Sequence, residues 1–322
     1  MTELDLSDLQ DVRKSVRDIE NAIGRRVIGS EKVIRFMFIS LMSGNHILLE
    51  GVPGLAKTML ASEFAKNLCM DFKRIQFTPD MLPSDITGSI VFNLETRKME
   101  FRKGPIFANV LLADEINRTP PKVQSALLEG MEERHVSVGG DINPLPEPFL
   151  AIATQNPIEQ EGTFPLAEAL MDRFLFRCIL TYPTRDEELR ILKSIIEPPS
   201  DEESVLDGSK IIMLRGEMKK VYASEEIISY IVDIIRKTRE HDLIFVGASP
   251  RTTTKYLNAA KANAFLNGRD YVIPEDIKYL SRELLNHRLI LRPEAMIENG
   301  NDMLGSLNRI IDEIISEVDT PK

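Results

Sequence analysis

Two short segments carry residues whose types and order can do chemistry. The first is Gly51-Val52-Pro53-Gly54-Leu55-Ala56-Lys57-Thr58, which follows the apolar run His46-Ile-Leu-Leu-Glu50 and precedes Met59-Leu60-Ala61-Ser62-Glu63-Phe64. A strand, a glycine-rich turn with Lys-Thr and a helix make a cradle for polyphosphate, because successive backbone N–H groups and the helix N-terminus converge on the anion. Gly51 and Gly54 let the backbone approach, Pro53 stiffens the turn, Lys57 neutralises the β and γ oxygens, and Thr58 offers its hydroxyl to Mg2+. The general pattern has Gly immediately before the Lys. Here Ala56 stands there, and its methyl group is expected to fit if that residue is already helical. For this segment alone, an ordinary Gly-Pro loop is the plainer alternative.

The second segment is Val110-Leu-Leu-Ala-Asp114-Glu115. An apolar strand ending in a carboxylate is what a metal-bound water needs, and Asp114 would hold it at the C-terminal edge of a sheet, where ligands bind in α/β folds. Glu115, one residue on, would polarise an attacking water as general base. Two solvated acids at a strand end are common by themselves, but behind a polyphosphate loop they complete a hydrolytic site.

The elements that must position these groups are legible in the hydropathy pattern. Five short apolar runs, His46 to Glu50, Lys73 to Phe77, Val110 to Ala113, Phe149 to Thr154 and Leu175 to Leu180, have the form of buried parallel strands. Helical patterns lie between them, such as Lys57 to Leu68 and Pro121 to Glu133, where Val123, Leu127 and Met131 recur every four residues. The alternation predicts a three-layer αβα core with a parallel sheet. Residues 90–101 and 136–142 read instead as hairpins, the second around Gly139-Gly140. Glu197-Pro-Pro-Ser-Asp-Glu-Glu203 marks a linker. Beyond it, residues 224–239, 249–266, 274–286 and 303–318 read as amphipathic helices, so the expected division is an α/β core over 1–197 and a helical domain over 198–322.

Length and charge bound the remaining classes. The 322 residues allow about two domains, and 40 Lys plus Arg against 50 Asp plus Glu leave a net charge of −10. An acidic chain repels phosphate backbones, so nucleic acid is disfavoured as a partner. Cys69 and Cys178 stand in apolar settings and are expected to be buried thiols, and the acidic start Met1-Thr-Glu-Leu-Asp5 is unlike a signal peptide. With no run of about 18 apolar residues to span a membrane, the expected location is cytoplasmic. His46, His135, His241 and His287 show no metal-ligand spacing, and there is no Gly-x-Ser-x-Gly elbow.

With both segments in place the sequence resembles the AAA+ ATPases, and within them the MoxR family, from Val27-Ile28-Gly29 through Arg251. The most specific strings are 51–58, Ala113-Asp-Glu-Ile-Asn-Arg-Thr-Pro-Pro-Lys-Val-Gln-Ser-Ala-Leu-Leu-Glu129, Ala153-Thr-Gln-Asn-Pro157 and Met171-Asp-Arg-Phe-Leu-Phe176. Family members often carry Ala at the position of Ala56.

The resemblance implies roles that spacing does not give. Asn156 is expected to be the sensor 1 residue that orients the attacking water. Arg173 is expected to be an arginine finger projected into a neighbour's site, although a pairing with Asp172 or Glu168 is its plainer reading. Arg251 is expected to be the sensor 2 arginine at the start of a lid helix, or a solvated residue there. Ile28 and Gly29 would flank the adenine. The hairpins match a helix 2 insertion (80–101) and a hairpin before sensor 1 (134–148), which would bring Phe92, Leu94 and Met99 to a client unless they pack on their own sheet. Arg118 would be a further residue at the subunit interface.

What the resemblance implies as a whole is an ATP- and Mg2+-dependent motor that forms a homo-oligomeric ring, expected to be a hexamer. It would remodel or mature a protein client, in some relatives with a partner carrying a von Willebrand factor A domain. A magnesium-chelatase-like metal-insertion motor and a DNA-handling motor are the rival readings.

Overall fold

A computed structural model describes residues 6–157, 162–197, 206–297 and 302–321. They form two compact units, one running to Phe174 and from Cys178 to Ile212, the other holding Leu175–Arg177 and the chain from Met213 onward. The expected linker at 198–203, which set the boundary at 197/198, lies outside the described residues.

The first unit contains, in chain order, α1 (Leu6–Arg26), α2 (Glu31–Met42), β1 (His46–Glu50), α3 (Lys57–Lys66), β2 (Phe72–Gln76), α4 (Pro83–Thr87), β3 (Gly88–Asn93) and β4 (Lys98–Lys103). There follow β5 (Val110–Asp114), a 3-10 turn at Ile116–Arg118, α5 (Pro121–Glu133), β6 (His135–Val138), β7 (Asp141–Pro144), β8 (Leu150–Gln155), α6 (Glu168–Met171), β9 (Phe174–Ile179) and α7 (Arg185–Ile196). Each predicted strand is present within a residue of its expected ends.

Burial explains the sequence pattern. β1 and β5 are buried at every position and β8 at all but its last, so apart from the polar residues His46, Glu50, Asp114, Thr154 and Gln155 at or near their ends they are apolar on both faces. β2 lies at the edge with only Ile75 buried, which is why Lys73, Arg74 and Gln76 are tolerated there. The sheet order is β2-β5-β8-β1-β9, and β2–β5, β5–β8 and β8–β1 pair in parallel. On one face Leu48, Leu111, Ala113 and Ala151 pack against Val123, Leu127 and Met131 of α5. Opposite it, α3 packs on β2 and β5 and α2 on β1, with the Phe38 and Phe64 rings 4.9 Å apart edge to face. This is the predicted α/β three-layer core. Register sets Glu50 level with Gln155 and Ala113 level with Ala153, so β1, β5 and β8 end together.

Both hairpins form, extended to Gly88–Lys103 and His135–Pro144. They pack on each other where Gly139, at φ +64°, leaves the space that Ile90 fills; a side chain there would collide with Ile90. Cys69 departs from expectation: it is exposed, whereas Cys178 is buried. The reason is helix termination. Cys69 adopts φ +48° just past α3, while the Met70 amide returns to the Ala65 carbonyl at 3.0 Å, and this left-handed turn points the thiol outward.

After α8 (Gly208–Lys219), which straddles the division, the second unit contains α9 (Glu225–Glu240), β10 (Ile244–Val246), α10 (Pro250–Leu266), α11 (Pro274–Leu285), β11 (Ile290–Leu291), α12 (Glu294–Ile297) and α13 (Met303–Glu317). On α9, Ile227, Tyr230, Ile231, Ile234, Ile235 and Thr238 form one buried stripe at helical spacing. α10 and α11 are tied by Tyr256 Oη donating to the Ile277 carbonyl at 2.7 Å and Asn263 Nδ2 donating to Asp276 Oδ1 at 2.8 Å. The short β10–β11 pair and helices α7 and α8 were not expected. Strands of three and two residues have no readable period, and α8 has almost no amphipathic asymmetry. Among the described residues no helix is long and apolar enough to cross a membrane.

Candidate nucleotide site

The loop of residues 51–56 leaves the end of β1 and enters α3. Its backbone is anchored to the neighbouring strand, with the Gly51 amide donating to the Gln155 carbonyl at 3.2 Å. Gly51 is buried, and a Cβ there would lie 3.0 Å from the Leu180 carbonyl oxygen, so a side chain at this position would crowd the neighbouring backbone. Gly54 adopts φ +87° in open space, so its glycine serves the turn. Ala56 is not helical as the sequence reading required. It sits at φ +53°, ψ +23°, the left-handed region, which costs a residue with a Cβ about 1–2 kcal/mol. That strain is the physical reason the general pattern has Gly at this position.

Ala56 also caps α3 without a side-chain hydrogen bond, so no side chain at the cap competes for the first amides of the helix. Lys57 Nζ donates to the Gly51 carbonyl at 2.5 Å, curling the ammonium back over the loop. Val52, Leu55, Lys57 and Thr58 are half-buried, while Pro53, Gly54 and Ala56 are exposed. Backbone amides, one ammonium and one hydroxyl thus line a loop open to solvent.

Asp114 ends β5 nearly buried and is clamped from both flanking strands. On the β8 side Thr154 Oγ1 donates to Oδ1 at 2.5 Å. On the β2 side Arg74 donates to Oδ2 through Nε at 3.0 Å and Nη2 at 2.7 Å. Burying a carboxylate is costly unless it is paired and hydrogen-bonded, and these contacts supply both. Glu115 adopts φ +57° and its amide donates to the same Thr154 oxygen at 2.9 Å, so the reversal after β5 is fixed by that hydroxyl. Its carboxylate pairs with Arg118 Nε at 3.0 Å across the 3-10 turn. Asn156 is buried just beyond β8, and Asn117 Nδ2 approaches its carbonyl at 3.5 Å. The Asn117 side-chain oxygen is buried with no hydrogen-bond partner among the described residues.

The fold therefore brings the loop 51–58, Asp114, Glu115 and Asn156 to one edge of the sheet, because β1, β5 and β8 are adjacent and parallel. Arg173 follows α6, and its guanidinium is bonded to Glu132 of α5, not to Asp172 or Glu168. Gly29, at φ +82°, and half-buried Ile28 stand in the turn between α1 and α2. Arg251 is exposed in the first turn of α10, in the second unit.

Sequence reasoning missed Thr154, Arg74 and Glu132. Thr154 had a signal: a lone hydroxyl at the polar end of the buried run Leu150-Ala-Ile-Ala-Thr154, beside the strand that carries the acids. Arg74 and Glu132 had none, since each is one charge among many until the fold supplies its partner.

The oxygen donors present suit Mg2+, a hard cation that takes hydroxyl, carboxylate and water ligands. Thr58 would supply the hydroxyl. Asp114 Oδ1 receives one hydrogen bond in the structure and so retains a lone pair.

A parallel three-layer sheet with this loop at one strand end and an Asp-Glu pair at the next defines a P-loop nucleoside triphosphatase of the AAA+ type. Comparison with known proteins gives the family. Residues 46–176 match the model of the ATPase family associated with various cellular activities (AAA), and residues 236–310 match an AAA lid domain. The chain is 39% identical to Chaperone MoxR1 of Mycobacterium tuberculosis over 93% of its own length and 82% of that protein. It is 46% identical to the uncharacterized protein YeaC of Bacillus subtilis over 93% of its length and 92% of that protein. The solved structure of a candidate ATPase from Cytophaga hutchinsonii superposes with a TM-score of 0.88 at 41% identity, covering 98% of this chain and 97% of that one. The chain belongs to the MoxR family of AAA+ ATPases, and it binds and hydrolyses ATP.

Proposed function

We propose that the protein is a ring-forming, Mg2+-dependent ATPase that uses hydrolysis to remodel or mature a protein client, as a chaperone does. The observation that carries the client reading is the hairpin β3–β4. Phe92, Leu94 and Met99 are 55%, 83% and 64% exposed there, together with Ile90 and Val91, and Ile142 of the second hairpin is 69% exposed. Large apolar side chains grouped on protruding hairpins mark a protein-binding surface. The name of the Mycobacterium tuberculosis relative, a chaperone, agrees with this reading.

In the proposed mechanism the amides of 51–56 and the start of α3 bind the phosphates, and Lys57 leaves the Gly51 carbonyl for the β and γ oxygens. Ile28 and Gly29 flank the adenine. Thr58 and Asp114 hold Mg2+, which when bound neutralises phosphate charge and orients the γ group. Glu115 takes a proton from the attacking water, whose position Asn156 fixes. Glu115 must swing from Arg118 to do so, and with its side chain about a quarter exposed it has room to move.

Arg173 completes the site of the next subunit, where a guanidinium stabilises charge on the transferring phosphoryl group. Arg251, in the first turn of α10, is the sensor 2 arginine of this proposal, reaching either its own nucleotide or a neighbour's. Hydrolysis then depends on assembly into a homo-oligomer, a hexamer in this proposal, working on its client in the cytoplasm, with a von Willebrand factor A domain protein as adaptor.

The test is client-stimulated turnover. Unfolded casein should raise the ATPase rate of the native protein and fail to raise that of a Phe92→Ser/Leu94→Ser/Met99→Ser variant. Equal stimulation of both would overturn the hairpin as the client surface.

A further inference from the structure

The edge strand carries a residue that this mechanism leaves unused. Arg74 and Gln76 point to the same face of β2, two residues apart, and Gln76 is level with Asp114 on β5. The Arg74 side chain therefore runs along the strand toward the nucleotide edge. There its Nε and Nη2 both bond Asp114 Oδ2, while Nη2 also donates to Gln76 Oε1 at 2.6 Å. The two partners are unequally placed. The Asp114 side chain is 11% exposed and that of Arg74 is 47% exposed, so the carboxylate has given up water for a guanidinium that itself stands half in solvent.

We propose that Arg74 is a positioning residue that competes with Mg2+ for Asp114, so that the metal-loaded nucleotide is admitted only as the guanidinium leaves the carboxylate. The proposal rests on the reading of Asp114 as a holder of Mg2+. A carboxylate bonded twice to Arg74 is half of a neutral pair and attracts a second cation weakly. Two cations on one nearly buried carboxylate also repel each other, an effect that the solvent around Arg74 reduces without removing. An arginine cannot relieve that repulsion by losing its proton, so it has to move. Movement is open to it, because Gln76 Oε1 and bulk water both accept its donors. Asp114 does not lose its orientation when Arg74 departs, since Thr154 holds the other oxygen. Arg74 thus keeps the site neutral and ordered before nucleotide arrives, and it weakens metal binding.

The experiment titrates Mg2+ into the full chain with a fluorescent ADP analogue and reads the Mg2+ concentration at half-maximal response, with nucleotide binding in EDTA as the control for an intact loop. Arg74→Gln removes the charge and keeps most of the length, and it should lower the Mg2+ midpoint by about tenfold, within the usual range of coupling between sites. Arg74→Lys keeps the charge and should stay close to the native midpoint. A midpoint that is unchanged or raised in Arg74→Gln, or lowered equally in Arg74→Lys, overturns the proposal. Asp114→Ala separates the two levels. A native Mg2+ response that Asp114→Ala weakens but Arg74→Gln leaves unchanged rejects the role of Arg74 alone, whereas a response indifferent to Asp114→Ala rejects the metal reading and the proposal with it. Should Arg74→Gln fail to bind nucleotide in EDTA, Gln76→Leu gives the second reading: by removing the alternative acceptor it should raise the midpoint, and a lowered or unchanged midpoint overturns the proposal.

Discussion

Thr154 and Asp114 are joined by a 2.5 Å hydrogen bond between adjacent strands, and the same Thr154 oxygen accepts the amide of Glu115 at 2.9 Å. One hydroxyl, with no exposed surface, thus orients the carboxylate proposed to hold the metal and fixes the turn that presents the carboxylate proposed to activate water. The two acids occupy different positions because β8 lies beside β5, and nothing in their own sequence separates them.

Replacing Thr154 should therefore be costly in both stability and turnover. Thr154→Val keeps the shape but leaves the part-buried Glu115 amide and a carboxylate oxygen of Asp114 without this partner, a loss of about 1–3 kcal/mol. Urea denaturation should show a lower midpoint at unchanged slope, with ATP turnover falling further than stability explains. Thr154→Ser should retain most of both, and a Val variant as stable and active as the native protein would contradict the bridging role.

The contact between Arg173 and Glu132 lies within one chain, so the proposed action of Arg173 on a neighbour is open to a mixing test. Arg173→Ala should lower kcat by about 10³-fold, as loss of an arginine finger does elsewhere. Lys57→Ala should be inactive in its own loop. Mixed subunits create some interfaces with an intact loop on one side and an intact Arg173 on the other, so activity should return. A mixture no faster than its separate components would place the action of Arg173 within its own chain.

Ala56 offers a gain. Ala56→Gly removes left-handed strain of about 1–2 kcal/mol and adds about 0.5–1 kcal/mol of backbone entropy to lose on folding. The net change should be neutral to stabilising by up to about 1.5 kcal/mol, read from the urea midpoint. An Ala-to-Gly change in an ordinary helix destabilises, so a clear loss would argue against the left-handed geometry at this residue.

Glu20 gives the fold a pH dependence remote from the site. It pairs with Arg35 at 3.0 Å between α1 and α2, yet burial raises its carboxyl above the ordinary 4.5, with Arg35 offsetting part of the effect. A folded value above the unfolded one means that this group's stabilising contribution is complete below about pH 4.5 and is lost as pH rises through the folded value. Glu20→Gln cannot ionise. Its urea midpoint should improve relative to the native protein between pH 4 and pH 7, and a gap that stays constant or moves the other way would contradict the burial argument.

The sequence by itself determined the α/β core, because strands buried on both faces must be written as continuous apolar runs and helices with one buried face as stripes. It also determined the polyphosphate loop and the Asp114-Glu115 pair, since both are local strings whose chemistry follows from residue type and order. The hairpins were legible from their turn residues, though not the exposure of Phe92 and Leu94, which depends on what the rest of the chain leaves uncovered. Only the tertiary structure decided the partners. Thr154 and Arg74 lie 40 residues from Asp114 in sequence, on opposite sides of it, and Glu132 lies 41 from Arg173. Hydrogen bonds and ion pairs act over a few ångströms, so such pairs come into being when strand order and register bring distant residues together.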